Sequence, residues 1–392
     1  MRVIGINISH DTSVAEVENG KLKYCHDEAR FRRHKFWDPD KLDEQHDKGL
    51  QCIEQTNIEE PDHLIFATYD RRNIIWSARR SLIEDRMLAE KFAADMRKEQ
   101  LSSSRIDVIQ QEYNQHLDID FLDSADDNGD FYFADMINSY HWDKEAYHLE
   151  PEHHFYHAEC GYYLSPYLKN DEDAICIVWD GGGAMRLFEE YPGYQEIESI
   201  YRCSPNKEPV LQWQTLTNHR ALTDLSWSFP NQKLDTFHCF EDKEFTGEDG
   251  VDYVMTSRPS SGMNFSQMSV ALGADEIGTG AGKVMGMASY CSSISATGVF
   301  NNFSTAQELE ERTFAESVKV IQDAIDRNPD CKNIVLSGGY SLNCTNNYRY
   351  LDAFPEHQFF VDPIPHDGGT AAGAALWFER LLTQKENNND KD

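Results

Sequence analysis

The sequence predicts an α/β fold built from two similar halves that pack around a shared cleft. Residues 2–27 read as strand, turn, strand, turn and strand, and residues 174–202 repeat this plan half a chain later. Apolar positions at helical spacing follow each opening, over about 76–100 and over 305–327. No low-complexity linker separates the halves, so a duplicated α/β domain is the simplest arrangement.

The first half opens with "RVIGINIS", "HDTSVAEVE", an Asn19-Gly20 turn and "KLKYCHD", which together predict two hairpins. His10 lies in the first of these turns, where this half would meet the cleft. A neutral imidazole there can act as a general base near pH 7. Alternatively, His10 and Asp11 simply cap the hairpin, and the residues alone leave both interpretations open.

We interpret residues 71–146 as an insertion in the first half of the chain. Its first part, between Arg71 and Arg105, carries nine Lys and Arg residues against five acidic ones. Its second part, from residue 115 to 146, is acidic and rich in turn residues. A solvated helix face with ion pairs is the ordinary explanation of such a charge run.

Composition narrows the class of protein. The net charge of −32 disfavours a general nucleic-acid binder, because affinity for phosphate backbones comes from Lys and Arg. Nine cysteines without a CxxC pair favour neither a disulfide framework nor a zinc ribbon. We find no apolar run long enough to cross a bilayer and no signal-like start, so we expect a cytoplasmic protein without a membrane partner.

Three glycine turns in the second half are candidates for phosphate binding. Asp180 to Gly183 follows the strand "AICIVW", a "GTGAGKVMG" run spans Gly278 to Gly286, and Ser337 to Gly339 follows "NIVL". Backbone amides at such turns can cradle an anion, since no side chain blocks its approach. Each turn alone is weak evidence for phosphate binding, but three such turns on a duplicated scaffold favour a nucleotide-binding protein. None matches a Walker or a Rossmann motif.

His153 and His157 are candidate metal ligands. A separation of four residues puts both imidazoles on one face of an α-helix and His154 on another. A divalent cation would also need a carboxylate, which Asp367 can supply from its position before Gly368-Gly369 and a small-residue helix. An accidental pair of surface or core histidines remains the alternative.

The domain boundaries follow from these features. We expect residues 1–170 to form subdomain I with the histidine motif and the insertion at 71–146. Residues 171–382 should form subdomain II with the glycine turns. Residues 383–392 contain no apolar side chain and predict a disordered tail.

Seven stretches between residue 3 and about residue 378 together resemble the NodU/CmcH-type O-carbamoyltransferases, a family that includes the tobramycin and cephem carbamoyltransferases. They are "IGINISHDTSVAEVENGKL", "DEARFRRHK", "HHFYHAECGYYLSPY", "WDGGG", "GKVMGMASY", "IVLSGGYSLNC" and "DGGTAAGAAL". The resemblance implies an ASKHA fold, in which two actin-like or Kae1-like subdomains enclose a cleft.

The resemblance also implies site residues and cofactors. It assigns a divalent metal, Fe2+ with Mn2+ or Mg2+ as alternatives, to His153, His157 and Asp367, and places His10 beside the reacting carbonyl as the catalytic base. It implies that ATP and carbamoyl adenylate contact the glycine turns. The residues assigned to the nucleotide are Asp180, Gly181, Gly182, Gly183, Gly282, Lys283, Gly338, Gly339 and Asn343.

The implied reaction moves a carbamoyl group from carbamoyl phosphate, through carbamoyl adenylate made with ATP, to an acceptor hydroxyl. Family members usually continue into a YrdC-like domain that makes the adenylate. Because this chain ends at Asp392, we expect a separate YrdC-like protein to supply the adenylate, or another route of loading.

The acceptor stays open among a sugar, a small-molecule hydroxymethyl group and a hydroxymethylated DNA base such as 5-hydroxymethylcytosine. The basic stretch at 71–105, with Trp76 and Phe92 available for stacking, keeps DNA among them. Three other interpretations remain: a tRNA threonylcarbamoyl-transfer protein, a nucleotide-binding subunit that is inactive without a partner, and a sugar kinase on the same fold.

Overall fold

The computed structural model describes residues 1–7, 9, 11–32, 50–56, 58–67, 146–147, 153–188, 191–217, 242–271, 280–288 and 301–389. The strands are β1 (Arg2–Asn7), β2 (Ser13–Glu18), β3 (Lys21–Asp27), β4 (His63–Phe66), β5 (Ala146–Tyr147), β6 (Ala174–Trp179), β7 (Met185–Phe188), β8 (Tyr191–Cys203), β9 (Val210–Thr217), β10 (Lys243–Thr246), β11 (Asp252–Thr256), β12 (Asn333–Ser337) and β13 (Gln358–Val361).

The α-helices are α1 (Glu28–Arg32), α2 (Gln51–Thr56), α3 (His153–Leu164), α4 (Pro166–Lys169), α5 (Ser261–Ala271), α6 (Ala281–Ala288), α7 (Asn301–Arg327), α8 (Cys344–Ala353) and α9 (Gly368–Asn389). A short 3-10 helix, Gly339–Leu342, lies between β12 and α8. None of the helices in the described ranges combines the length and apolar character of a membrane span.

Two sheets with the same strand order show the duplication. The first sheet has the order β3-β2-β1-β4-β5, and the second contains the run β9-β8-β6-β12-β13, which ends at the edge strand β13. In each, the first three strands are antiparallel neighbours. The remaining two strands of each run are parallel to their neighbours: β4 and β5 follow β1 in the first sheet, and β12 and β13 follow β6 in the second. The predicted α/β fold with two similar halves is confirmed.

The second sheet carries additional strands beyond this shared plan. β11 lies parallel to β9, and β10 is antiparallel to β11. β7 pairs with β8 outside the main path. Strand β6 of the second sheet, "AICIVW", is apolar and fully buried, because α3 and α7 pack against it.

The C-terminal helix α9 connects the two halves. It packs on β1 to β4 of the first sheet and also on α3, which itself packs on β6, β8 and β12 of the second sheet. Small residues allow this close approach: a side-chain carbon added at Gly373 would lie 1.9 Å from the carbonyl oxygen of Tyr156 in α3. Contacts through α3 and α9 therefore determine where the two halves meet.

The tail predicted to be disordered is helical as far as Asn389, because it continues a helix that is already anchored and needs no new nucleation. The insertion at 71–146 and the stacking candidates Trp76 and Phe92 lie outside the described residues, apart from Ala146, which begins the short strand β5.

Candidate metal centre and the glycine turns

Three elements bring four buried side chains together at the junction of the two halves. His153 and His157 lie in the first turns of α3, Asp180 follows the last residue of β6, and Asp367 immediately precedes α9. One ligand atom from each of the four lies within 4.8 Å of the others. Their convergence is set by the packing of α3 against β6 and α9.

The distances within this group are short. His153 Nε2 lies 3.0 Å from Asp180 Oδ2 and 3.2 Å from His157 Nε2. Asp367 Oδ1 lies 3.5 Å from His153 Nε2 and 3.8 Å from His157 Nε2. The lone-pair-bearing atoms of all four side chains therefore face a common point.

The donor set suits a divalent cation. Burial lowers the pKa of His157 well below its usual range, and the neighbouring His153 lowers it further, so His157 is neutral at physiological pH. Burial raises the pKa of Asp180, the hydrogen bond to His153 is the main opposing effect, and the net result is a lowered pKa. Neutral imidazoles and ionised carboxylates are the forms that bind metals. Two such carboxylates in a buried site would be balanced by a divalent ion.

The structure thus brings together His153, His157 and Asp367, which the sequence proposed as ligands. It adds Asp180, which the sequence assigned to the nucleotide turn. The HxxxH spacing identifies the pair because both residues lie in one helix. The sequence around Asp180 does not predict where its carboxylate points, because that depends on how β6 packs against α3.

The turn at Asp180–Gly183 lies beside the candidate metal centre. The Gly181 amide donates to Asp180 Oδ1 at 2.6 Å, and a side-chain carbon at Gly181 would meet no atom within 4 Å. The start of α5, which the sequence analysis did not single out, approaches this turn. Ser260 Oγ donates to the carbonyl oxygen of Gly181 at 3.0 Å and accepts from the Met263 amide at 3.0 Å.

The turn at Ser337–Gly339 reaches the same region. Gly338 has a φ of +84°, and a side-chain carbon added there would clash with the backbone of Trp179. A side-chain carbon added at Gly339 would lie 3.3 Å from Asp180 Oδ1. Two of the three predicted glycine turns therefore lie next to one another and next to the candidate metal centre.

The remaining nucleotide candidates differ in environment. Asn343 is buried and caps α8: its side-chain oxygen accepts from the Asn346 amide at 3.2 Å, and its Nδ2 donates to Glu310 Oε2 at 3.1 Å. Both polar groups of Asn343 thus have structural partners. Gly282 and Lys283 are exposed in the first turn of α6.

His10 lies outside the described residues, but its neighbours are informative. Asn7 Nδ2 donates to the carbonyl oxygen of Asp11 at 3.1 Å and to that of Asp367 at 3.0 Å. The backbone on either side of His10 is therefore tied to the loop that carries Asp367. His366 Nδ1 lies 3.6 Å from Asp11 Oδ2. The sequence analysis did not identify this second histidine beside the first turn.

Comparison with solved structures gives weak overall superpositions. The activator of 2-hydroxyisocaproyl-CoA dehydratase from Clostridium difficile is 12% identical, with 98% of both chains covered and a TM-score of 0.40. HypF from T. kodakarensis is 12% identical over 98% of this chain and 48% of its own, with a TM-score of 0.42. A ROK family glucokinase from Streptomyces griseus is 9% identical over 96% and 99%, with a TM-score of 0.39.

Sequence comparison is more specific. Nodulation protein U from Rhizobium tropici is 23% identical over 397 residues, which is 96% of this chain and 60% of that protein. This chain therefore spans about 60% of the length of this relative. Residues 2–306 and 300–376 match the family described as carbamoyltransferase N-terminus. The chain belongs to the carbamoyltransferase family, and it matches the N-terminal domain of that family along nearly its whole length.

Proposed function

We propose that this chain binds a divalent metal ion through His153, His157, Asp180 and Asp367 and transfers a carbamoyl group to an acceptor hydroxyl. The observation that carries the proposal is the convergence of four buried ligand atoms within 4.8 Å in a chain of the carbamoyltransferase family. Fe2+ is the favoured ion because imidazole ligands suit it, and Mn2+ and Mg2+, which the two carboxylates suit, are the alternatives.

The bound metal would supply Lewis acidity, which neutralises phosphate charge and polarises the carbamoyl carbonyl. The residues of the chain provide the other functions. The Gly182 amide would donate to a phosphate oxygen of the nucleotide, and Gly339 would keep the opposite side of that space open. The proposed donor is carbamoyl adenylate, formed from ATP and carbamoyl phosphate.

His10 is the proposed general base. The acceptor oxygen forms a bond to the carbamoyl carbon while its proton passes to an imidazole nitrogen of His10, and the bond from that carbon to the phosphate oxygen breaks. The products are the carbamoylated acceptor and AMP. Asn7 supports this role, since it ties the backbone of Asp11, the residue after His10, to that of Asp367.

The acceptor is proposed as a class. A sugar, a small-molecule hydroxymethyl group and 5-hydroxymethylcytosine in DNA each present the required hydroxyl. The basic stretch between Arg71 and Arg105 is the proposed acceptor-binding segment, because it is the positively biased part of a strongly acidic chain. Charge reversal at Arg79 and Arg80 should then weaken acceptor binding and leave nucleotide binding unchanged.

The test is product detection by mass spectrometry. The purified chain is incubated with a divalent metal, ATP, carbamoyl phosphate and a panel of hydroxyl acceptors, and in parallel with synthetic carbamoyl adenylate. We expect one acceptor to gain a carbamoyl group, and we expect His157→Ala to abolish this gain. His357→Ala, which removes a histidine of the loop before β13, is the matched control.

The two donor conditions separate the possible outcomes. Transfer with carbamoyl phosphate means that the chain loads its own donor. Transfer only with carbamoyl adenylate means that a separate YrdC-like protein supplies it. If no acceptor is modified under either condition, the proposed activity is wrong for this panel, and a nucleotide-binding subunit that needs a partner becomes the better explanation.

A further inference from the structure

We propose that Glu196 is a positioning residue for the candidate metal centre, because its carboxylate joins the first turn of α3 to the glycine turn after β6. This inference rests on the proposed metal-binding function and deepens it. The sequence analysis did not identify Glu196, which lies within β8 and is fully buried.

One carboxylate oxygen of Glu196 contacts both elements that carry metal-ligand candidates. Its Oε1 accepts from the His154 amide at 3.1 Å and from the Ala184 amide at 2.9 Å. The backbone of Glu196 holds the same turn, since its carbonyl oxygen accepts from the Gly183 amide at 2.8 Å and its amide donates to the Ala184 carbonyl at 3.1 Å. A negative charge at a helix N-terminus is itself stabilising.

The other oxygen fixes the direction of this carboxylate. Glu196 Oε2 accepts from Gln214 Nε2 at 2.7 Å. The same amide donates to Ser199 Oγ at 2.9 Å, and Ser199 Oγ lies 2.7 Å from His154 Nδ1. Glu196, Ser199, Gln214 and His154 are all fully buried. The network therefore holds the His154 ring on β8 and β9, away from the metal-ligand side of α3.

The consequence for the metal follows from chain connectivity. His153 directly precedes His154, and His157 lies one helical turn later. Asp180 begins the turn that ends at Gly183 and Ala184. Removing the Glu196 carboxylate releases the His154 amide at the start of α3, while the backbone bonds of Glu196 still hold Gly183 and Ala184. The imidazole nitrogens of α3 therefore lose their fixed placement relative to Asp180 Oδ2. Outer partners of metal ligands typically contribute about 10–100-fold to metal affinity.

The experiment measures binding of Co2+ alone to the full chain, without nucleotide, by titration and by the visible absorption of the bound ion. We expect Glu196→Met, which keeps the size but removes the acceptor, to weaken Co2+ binding by about 10–100-fold and to change the spectrum. Glu196→Gln keeps one acceptor oxygen for the two backbone amides, so its Co2+ affinity and visible spectrum should match those of the unchanged chain.

Two further variants separate positioning from general damage. Glu198→Met removes another buried carboxylate of β8, one that pairs with Arg258 instead of α3, and it should bind Co2+ like the unchanged chain. Gly183→Ala perturbs the same contact from the opposite side, because the added carbon would lie 2.7 Å from Glu196 Cγ and 2.9 Å from His154 Cδ2. Gly183→Ala should weaken Co2+ binding. It tests the positioning role of Glu196 if Glu196→Met does not fold.

The possible results are distinguishable. If the unchanged chain does not bind Co2+, the proposed metal function fails before any variant is compared. If the unchanged chain binds Co2+ and the folded Glu196→Met or Gly183→Ala chain binds it equally well with the same spectrum, the positioning role is overturned. Equal losses in Glu196→Met and Glu198→Met would also overturn it, since they would indicate general destabilisation of β8.

Discussion

His153 Nε2 and Asp180 Oδ2 lie 3.0 Å apart, although one belongs to the first turn of α3 and the other to the turn after β6. Both side chains are buried. This contact connects the histidine motif to the glycine turn and gives the candidate centre its second carboxylate. Metal binding and the geometry of the Asp180–Gly183 turn should therefore depend on each other.

Asp180→Asn should weaken metal binding even without nucleotide, because an amide is a poorer ligand than a carboxylate and carries no charge. The loss should exceed the roughly tenfold minimum typical of outer partners. Isothermal titration with Mn2+ measures it. Asp171→Asn is the control, since Asp171 is exposed with a φ of +60°, a conformation that Asn accepts readily. Unchanged affinity in Asp180→Asn would restrict Asp180 to the nucleotide role.

Glu310→Gln should stabilise the protein more at pH 8 than at pH 4. Burial raises the pKa of Glu310 to about 7, although the hydrogen bond from Asn343 opposes the rise. Its Oε1 is buried with no hydrogen-bond partner in the described part of the chain. A raised carboxyl pKa gives a stabilising contribution that is complete below the unfolded value of 4.5 and is lost as pH rises through about 7.

The gain from Glu310→Gln at pH 8 should be about 1–3 kcal/mol in the free energy of unfolding, because the neutral amide removes the buried charge that Glu310 carries at pH 8, and one pKa unit corresponds to about 1.4 kcal/mol. Urea denaturation at pH 4 and pH 8 measures the difference. Glu308→Gln removes an exposed charge from the same helix and should show little pH dependence. A gain of equal size at both pH values would contradict the assigned cause.

Arg380→Met should strongly destabilise the contact between α3 and α9. Arg380 NH1 and NH2 donate to the two carboxylate oxygens of Glu159, which is almost fully buried. Burial raises the pKa of Glu159 and Arg380 lowers it, with burial the larger effect. Removing one partner of a buried ion pair costs about 3–5 kcal/mol, because the other charge stays uncompensated.

Chemical denaturation measures this loss, and the double variant Glu159→Met/Arg380→Met provides its control. Replacing both partners by apolar side chains removes the stranded charge and should recover much of the stability. If the double variant is less stable than Arg380→Met alone, the buried charge is not the source of the loss.

Gly373→Ala should lower both stability and metal affinity. The added carbon would lie 1.9 Å from the carbonyl oxygen of Tyr156, so α9 must move away from α3, and Asp367 immediately precedes α9. Thermal unfolding and Co2+ titration measure the two effects. Gly286→Ala is the matched control within helix α6, where an added carbon meets no atom within 4 Å and should raise stability by about 0.5–1 kcal/mol.

The sequence by itself determined the local elements and the residue pairs that lie within one element. Strand and turn patterns predicted the duplicated sheet, because pleating and hairpin chemistry are local properties. The HxxxH spacing placed His153 and His157 on one face, because helical geometry alone relates residues four apart. Asp367 was proposed as the carboxylate partner of this pair from its position before Gly368-Gly369, and the family resemblance supported that proposal.

Only the tertiary structure decided which distant residues meet. Asp180 faces His153 because β6 packs against α3, and Asp367 reaches the same point because α9 crosses from the second half to the first sheet. Glu196 carries no motif, and its role comes from the register of β8 beside β6 and from the turn that ends at Ala184. Periodicity reports which face of an element is buried, whereas the distance between two such faces depends on sheet order, helix crossing and close glycine contacts.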